Sequence, residues 1–116
     1  MTKKNQGKFA EFIALQYLRL KGYALVECNY ITGKGTGAGE VDIIVKNQTT
    51  LVFIEVKKRK DLTTAAYAIQ PKQQQRIRRG AEAFLANHFE YLKFDIRFDA
   101  ILIEYPFKIE HIENAF

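Results

Sequence analysis

Asp42, Glu55 and Lys57 stand in the stretch "GEVDIIVKNQTTLVFIEVKKRK" (39–60), with twelve residues between the first two and one between the last two. Val41 to Lys46 and Leu51 to Lys57 are rich in branched apolar residues and read as two strands joined by a short polar turn around "NQTT". A turn of two or four residues sets Asn47 against Thr50 or Lys46 against Leu51. Both choices give one register, and in it Asp42 lies opposite Glu55. Opposed residues share a face, with Cβ atoms about 4.5–5.5 Å apart. Lys57, two residues beyond Glu55, lies on that face as well, and Glu40 faces it. Two carboxylates set against each other repel, and Ile44 and Phe53 on the same face add partial burial to the cost. A fold does not need that pair.

A divalent cation removes the conflict. Mg²⁺ (or Mn²⁺) takes hard oxygen ligands, commonly one or two carboxylates, and keeps waters that can be offered to a phosphate. Asp42 and Glu55 supply the carboxylates, and the backbone carbonyl of Val56 between Glu55 and Lys57 supplies a further oxygen. A lysine beside such an ion has its pKa lowered by the positive charge and by desolvation. Lys57 can then orient or deprotonate a water for attack on phosphorus while the ion stabilises the developing negative charge.

The elements that must position these groups follow from periodicity. Phe9, Phe12, Ile13, Leu15, Tyr17, Leu18 and Leu20 follow helical spacing over about Lys8 to Lys21, and Gly22 supplies the stop. "YALVECNYI" reads as a strand, and "TGKGTGAG" after it, with four glycines in eight residues, as a loop. After the hairpin, "KDLTTAAYAIQ" is a connection and Pro71 opens a second helix reaching about His88. "FDIRFDAILIEY" reads as a long strand and "FKIEHI" as a short one at an edge. The expected order is helix, three strands, helix, two strands, in one domain spanning 1–116. The fold class is α/β, a mixed central sheet flanked by helices.

Composition bounds the rest. At 116 residues the chain has room for one core, and 47% hydrophobic with 27% charged residues suits a globular protein. No apolar run approaches the roughly 20 residues of a membrane span. The basic start "MTKKNQGKF" leads into an amphipathic helix containing Glu11 instead of an apolar signal core, so a cytoplasmic location and no membrane partner are expected. Cys28 is the single cysteine, which excludes an internal disulfide and a cysteine zinc cluster; a buried place in a strand is expected for it. The net charge of +5 collects in "KKRK" (57–60) and "KQQQRIRR" (72–79), flanking the motif as a phosphate-binding face would.

The Asp, twelve residues, Glu, one residue, Lys pattern on a hairpin resembles the PD-(D/E)XK nuclease superfamily, with its restriction-endonuclease-like three-layer fold. "AEFIALQYLRLKGY", "GEVDIIV", "LVFIEVKKR", "RIRRGAEAFL" and "RFDAILI" resemble, in order and over nearly the whole chain, the YraN family of small bacterial proteins classed as predicted endonucleases. The resemblance implies a metal-dependent endonuclease hydrolysing phosphodiester bonds in DNA, with branched recombination or repair intermediates among its substrates and a homodimer as its working form. Its alternative is a module of the same fold that binds nucleic acid without cutting it. Glu11 resembles the acidic residue that related junction-resolving nucleases add to the metal site from helix one. The periodicity agrees, since Glu11 lies between Leu15 and Leu18 around the helix, an apolar setting for an idle carboxylate. Gln73 falls on the buried face of the second helix with Ile77, Ala81 and Phe84 and aims an amide at the same site, where the family pattern expects a basic residue. Gly80 on that face permits close helix packing.

Arg59 matches a basic residue of the family, and Lys58 replaces a smaller hydroxyl residue; both are expected to contact phosphate, as are Lys34 in the glycine loop and Lys72 and Arg76 on the second helix. Arg97 and Asp99 read as a surface charge pair. His88 ends a helix and His111 stands alone in an edge strand, neither with the spacing of a zinc ligand. "GKGTG" lacks the Gly-Lys-Ser/Thr ending of a phosphate loop, and the chain has no serine to act as a nucleophile.

Overall fold

The computed structural model describes residues 3–33, 39–58, 69–104 and 108–116. Along the chain come α1 (Lys3–Leu20), β1 (Ala24–Thr32), β2 (Gly39–Asn47), β3 (Thr50–Lys58), α2 (Pro71–Ala86), a 3-10 turn (Phe89–Tyr91), β4 (Asp95–Glu104) and β5 (Lys108–Ile112). The sheet is mixed and keeps chain order, β1-β2-β3-β4-β5. Its pairs are antiparallel except β3 with β4, which run parallel. Parallel neighbours need a crossover, and α2 lies on it.

The hairpin has the expected register, from Asn47↔Thr50 to Ile43↔Ile54. Its loop is two residues, Gln48 and Thr49, with Gln48 at φ 54°, the left-handed conformation that a tight hairpin turn demands. α1 also ends as the sequence requires: Gly22 sits at φ 96°, and the Gly22 and Tyr23 N–H groups donate to Arg19 O and Leu18 O. The helix begins at Lys3, earlier than its apolar pattern, in keeping with the good helix propensity of Lys and Gln.

The central strands are buried on both faces, which sorts their side chains into two cores. Val52 and Ile54 of β3 join Ile43, Val45, Ile101 and Ile103 under α1, while Leu51 and Phe53 join Ile44 and Val41 under α2. Helices cover the sheet on both sides, in three layers. α1 docks through Ala10, Ala14 and Leu18, each at most 2% exposed, and Phe9, Phe12 and Leu20 are left exposed. This departs from the expected stripe. Alanines bring the helix axis close to the sheet, so the contact line is narrow and the larger residues fall outside it.

Cys28 is also unlike its expectation: it is exposed. β1 is an edge strand whose residues are exposed or half-buried throughout, so strand membership did not guarantee burial. The expected edge position of β5 holds. Residues 60–68 of the "KDLTTAAYAIQ" connection lie outside the described residues.

Candidate functional site

The β2–β3 ladder ends at Ile43↔Ile54, although both strands continue. Beyond it β2 stays paired with β1 through Thr32↔Gly39, and β3 with β4 through Lys58↔Ile103. The two central strands thus part as a fork, with Asp42 and Glu55 at its base. There Asp42 Oδ2 accepts from the Val56 N–H at 2.9 Å, doing with a side chain what a backbone carbonyl does inside the ladder. A strand residue directs its N–H and C=O to one side, so the Val56 carbonyl opens into the same fork. Lys57 Nζ lies 3.6 Å from Glu55 Oε1, and both side chains are largely buried.

α2 closes one wall. Its approach depends on two glycines, because a Cβ on Gly39 would stand 2.6 Å from the Gly80 nitrogen and one on Gly80 would stand 2.9 Å from Val41 Cγ2. Backbone therefore meets backbone, in keeping with the packing role read for Gly80. Ile77, Ala81 and Phe84 bury the helix below this contact, and the preceding turns hang Gln73 and Arg76 over the fork. The result is an open cleft of about 190 Å³ lined by Glu40, Asp42, Glu55, Lys57, Gln73, Arg76 and Ile77.

The cleft is electrostatically unbalanced. Burial, then the charge of Asp42 and a hydrogen bond shared with it, push the Glu55 carboxyl up to about 8; Lys57 opposes this and Glu40 adds to it. Glu11, half-buried on α1, is raised to about 6, by burial first and then by Asp42 and Glu40, against a hydrogen bond with Asn29 and the charge of Lys8. Glu11 thus feels the cleft carboxylates without lining the cleft itself. Among the described residues, the buried polar atoms Gln73 Oε1 and Arg76 Nε have no hydrogen-bond partner.

These features suit a hard divalent cation. Among the described residues no three Asp, Glu, His or Cys side chains converge closely enough to chelate an ion by themselves. The oxygens on offer are the Asp42 and Glu55 carboxylates, the Val56 carbonyl and the orphaned Gln73 amide oxygen, with Glu11 nearby. One or two carboxylates with neutral oxygens and retained waters is the set that Mg²⁺ favours. A cation there would also relieve the repulsion that holds a proton on Glu55.

Of the residues singled out in the sequence, Asp42, Glu55, Lys57, Gln73 and Arg76 line this one cleft. Lys72 lies exposed at the start of α2, and Lys58 is exposed at the end of β3. Lys34 and Arg59 lie outside the described residues. One expectation is corrected and one residue was missed. Glu40, expected to face Lys57, pairs with Arg76. Asn29, at φ 53°, falls between the pairs Cys28↔Ile43 and Tyr30↔Val41, beside Asp42 on the next strand. An asparagine tolerates that left-handed backbone, which was the one signal the sequence could offer.

On the other face the surface pair read for Arg97 and Asp99 is corrected. They do pair, at 2.8 Å, but Asp99 is fully buried. It also accepts from Arg97 Nε at 2.9 Å, from the Asn114 N–H at 3.1 Å and from His111 Nε2 at 2.7 Å. His111 is therefore not alone. Its Nδ1 meets Lys21 Nζ at 3.0 Å, and Tyr17 and Tyr23 pack edge-on against its ring.

Comparison with known proteins places this geometry in a family. A UPF0102 protein of Paramagnetospirillum magneticum is 41% identical over 113 residues, covering 97% of this chain and 87% of its own. One from Alkaliphilus oremlandii is 40% identical over 119 residues, covering 97% and 98%. Among solved structures, Hjc of Archaeoglobus fulgidus, a Holliday junction resolvase, superposes with a TM-score of 0.52 at 19% identity, over 89% of this chain and 72% of that one. The fold is thus the restriction-endonuclease-like one. With residues 10–103 matching the family profile, the chain belongs to the uncharacterised protein family UPF0102, the YraN family that its motifs resemble.

Proposed function

We propose that the cleft is the active site of a Mg²⁺- or Mn²⁺-dependent endonuclease that hydrolyses phosphodiester bonds in DNA. One observation carries the reading: Asp42 and Glu55 meet at the parting of β2 and β3 with Lys57 beside them, an arrangement that is costly without a cation and useful with one. The resolvase-like fold supports it, and branched recombination or repair intermediates are the substrates that likeness suggests. Asp42, Glu55 and the Val56 carbonyl would hold the ion, with Glu11 as a further carboxylate from α1. Such an ion would supply charge neutralisation at phosphorus and lower the pKa of a water.

The remaining steps belong to side chains. Lys57 orients the attacking water and takes its proton at Nζ. Gln73 accepts a hydrogen bond from that water through its free Oε1 and so fixes its line of attack. Lys72, Arg76, Lys58, Arg59 and Lys34 neutralise backbone phosphates, which positions a duplex without reading its sequence. No helix of the described residues is long and apolar enough to cross a membrane. A cytoplasmic location and a homodimer accompany this reading; sedimentation of the purified chain tests the second.

The deciding experiment is cleavage of linear, single-stranded and four-way-junction DNA with Mg²⁺ or Mn²⁺ against EDTA. Metal-dependent product is expected, with a loss of about 10³-fold or more in Glu55→Ala and Lys57→Ala. DNA binding with no metal-dependent product on any substrate would replace the endonuclease by a binding module.

A further inference from the structure

Glu40 has no part in the mechanism above, yet it reaches into the cleft and adds a third carboxyl group beside Asp42 and Glu55. Its carboxylate Oε2 takes a short hydrogen bond from Arg76 Nη2. Fold stability does not account for this pair. α2 is already seated by the Gly39–Gly80 backbone contact and by buried Ile77, Ala81 and Phe84. The two side chains are 42% and 41% exposed, a setting in which an ion pair adds little to stability. The pose also leaves Arg76 Nε buried with no acceptor, so the guanidinium is incompletely satisfied where it lies. An arginine offers a fork of donors matched to two oxygens of a phosphate, and here a carboxylate occupies one arm while a second donor goes unused.

We propose that Arg76 is the principal phosphate-binding cation of the cleft and that Glu40 is its internal competitor, a carboxylate that a substrate phosphodiester must displace to enter. This rests on the nucleic-acid reading of the site. With phosphate on Arg76, the guanidinium gains the oxygens its present pose lacks, and Glu40 is released from the pair. Glu40 thereby sets a threshold. An anion held by Arg76 alone, such as a free carboxylate, gains little over the partner already present, whereas a phosphodiester held at several backbone positions does. Selectivity arises here by building competition against weak ligands as well as attraction for the right one.

Equilibrium binding of a fluorescent DNA duplex and a four-way junction in EDTA, where no cleavage intrudes, tests this with wild type, Glu40→Gln, Arg76→Gln and the double variant. Glu40→Gln is expected to bind about fivefold more tightly, as release of a pair worth about 1 kcal/mol requires. Arg76→Gln is expected to bind about tenfold more weakly and to lower the slope of log affinity against log salt by about one. The double variant should match Arg76→Gln alone, because the gain exists only while there is an arginine to release. Circular dichroism melts on each variant separate binding losses from unfolding. A gain that persists in the double variant would reduce Glu40 to a general repulsive charge and overturn the proposal, as would unchanged or weaker binding by Glu40→Gln. Failure of wild type to bind any of the DNAs would instead remove the nucleic-acid reading on which the proposal stands.

Discussion

Carboxylates stand on both faces of one sheet, and the two faces treat them oppositely. Under α1, Asp99 loses solvent completely, but hydrogen bonds from His111, Arg97 and the Asn114 backbone, with the Arg97 charge, outweigh burial and hold its carboxyl below the ordinary value. Under α2, Glu55 is raised to about 8 by burial and by a second carboxylate, and the single lysine beside it does not compensate. The first acid is satisfied by the fold alone. The second is left in debt, together with an amide oxygen and a guanidinium nitrogen that have no partner. Buried charge by itself does not mark a functional site; buried charge that the protein leaves uncompensated does.

The largest test of that contrast is Asp99→Ala. Removing Asp99 strips Arg97 and His111 of a buried partner and should lower unfolding stability by about 3–5 kcal/mol, read as a shift in the urea midpoint. Its pH dependence has a definite sign. The folded value of Asp99 lies below the unfolded one of about 3.9, so its contribution is complete above that pH and is lost as pH falls through the folded value. An Asp99→Ala protein as stable as wild type at pH 7 would place this network among ordinary surface pairs.

Next in size is divalent metal. If the α2-side deficit is what a cation relieves, Mn²⁺ at about a hundred times its dissociation constant should stabilise the wild type by about 2.7 kcal/mol at pH 8. The shift in Tm should vanish in a Glu55→Gln variant. Equal stabilisation of both proteins would place the ion elsewhere. Glu55→Gln should itself be stabilising without metal. Because the folded value near 8 exceeds the unfolded value near 4.5, the native state holds the extra proton between them and loses stability as pH rises through that window. A neutral amide removes the slope and should add about 2 kcal/mol at pH 8. Parallel melting curves at pH 5 and pH 8 for wild type and variant decide it.

The legibility of these two faces in the sequence differs for a physical reason. A two-residue turn propagates one register along β2 and β3 as far as Ile43↔Ile54, so local spacing brought Asp42 and Glu55 to the next position. It did not foretell that the strands part there instead of pairing them. The element order and the stop at Gly22 were local as well. The Asp99 network was not. It depends on β5 folding back antiparallel so that Ala100 meets Ile112 and Ile101 meets His111, and on Tyr23 arriving from the end of α1. No spacing rule links Tyr23 to Arg97. The same holds for Glu40 with Arg76, 36 positions apart and joined only through the docking of α2. The narrow alanine stripe of α1 was hidden because alanine carries little periodic signal beside Phe9 and Phe12, the larger residues that turn out to be exposed.

The smallest expected effect is also the sharpest test of the comparison. Gln73 is half-buried on α2, its Oε1 is enclosed without a partner, and its neighbours Asp42, Glu55 and Lys57 line the same cleft. If that oxygen serves only the fold, replacing it should be neutral or harmful to stability and indifferent to cleavage. If it is kept for a water or an ion, Gln73→Leu removes an unsatisfied acceptor and should leave stability unchanged or raise it by up to about 1 kcal/mol, while metal-dependent cleavage falls by about tenfold or more. A Gln73→Glu variant then separates the two possible duties. A carboxylate substitutes for an amide oxygen as a ligand to a cation, so tighter Mn²⁺ binding with retained cleavage would assign Gln73 to the ion. Unchanged Mn²⁺ binding with impaired cleavage would assign it to the attacking water. Stability and activity moving in opposite directions at one buried atom is what an uncompensated site requires, and it is what no substitution at Asp99 should produce.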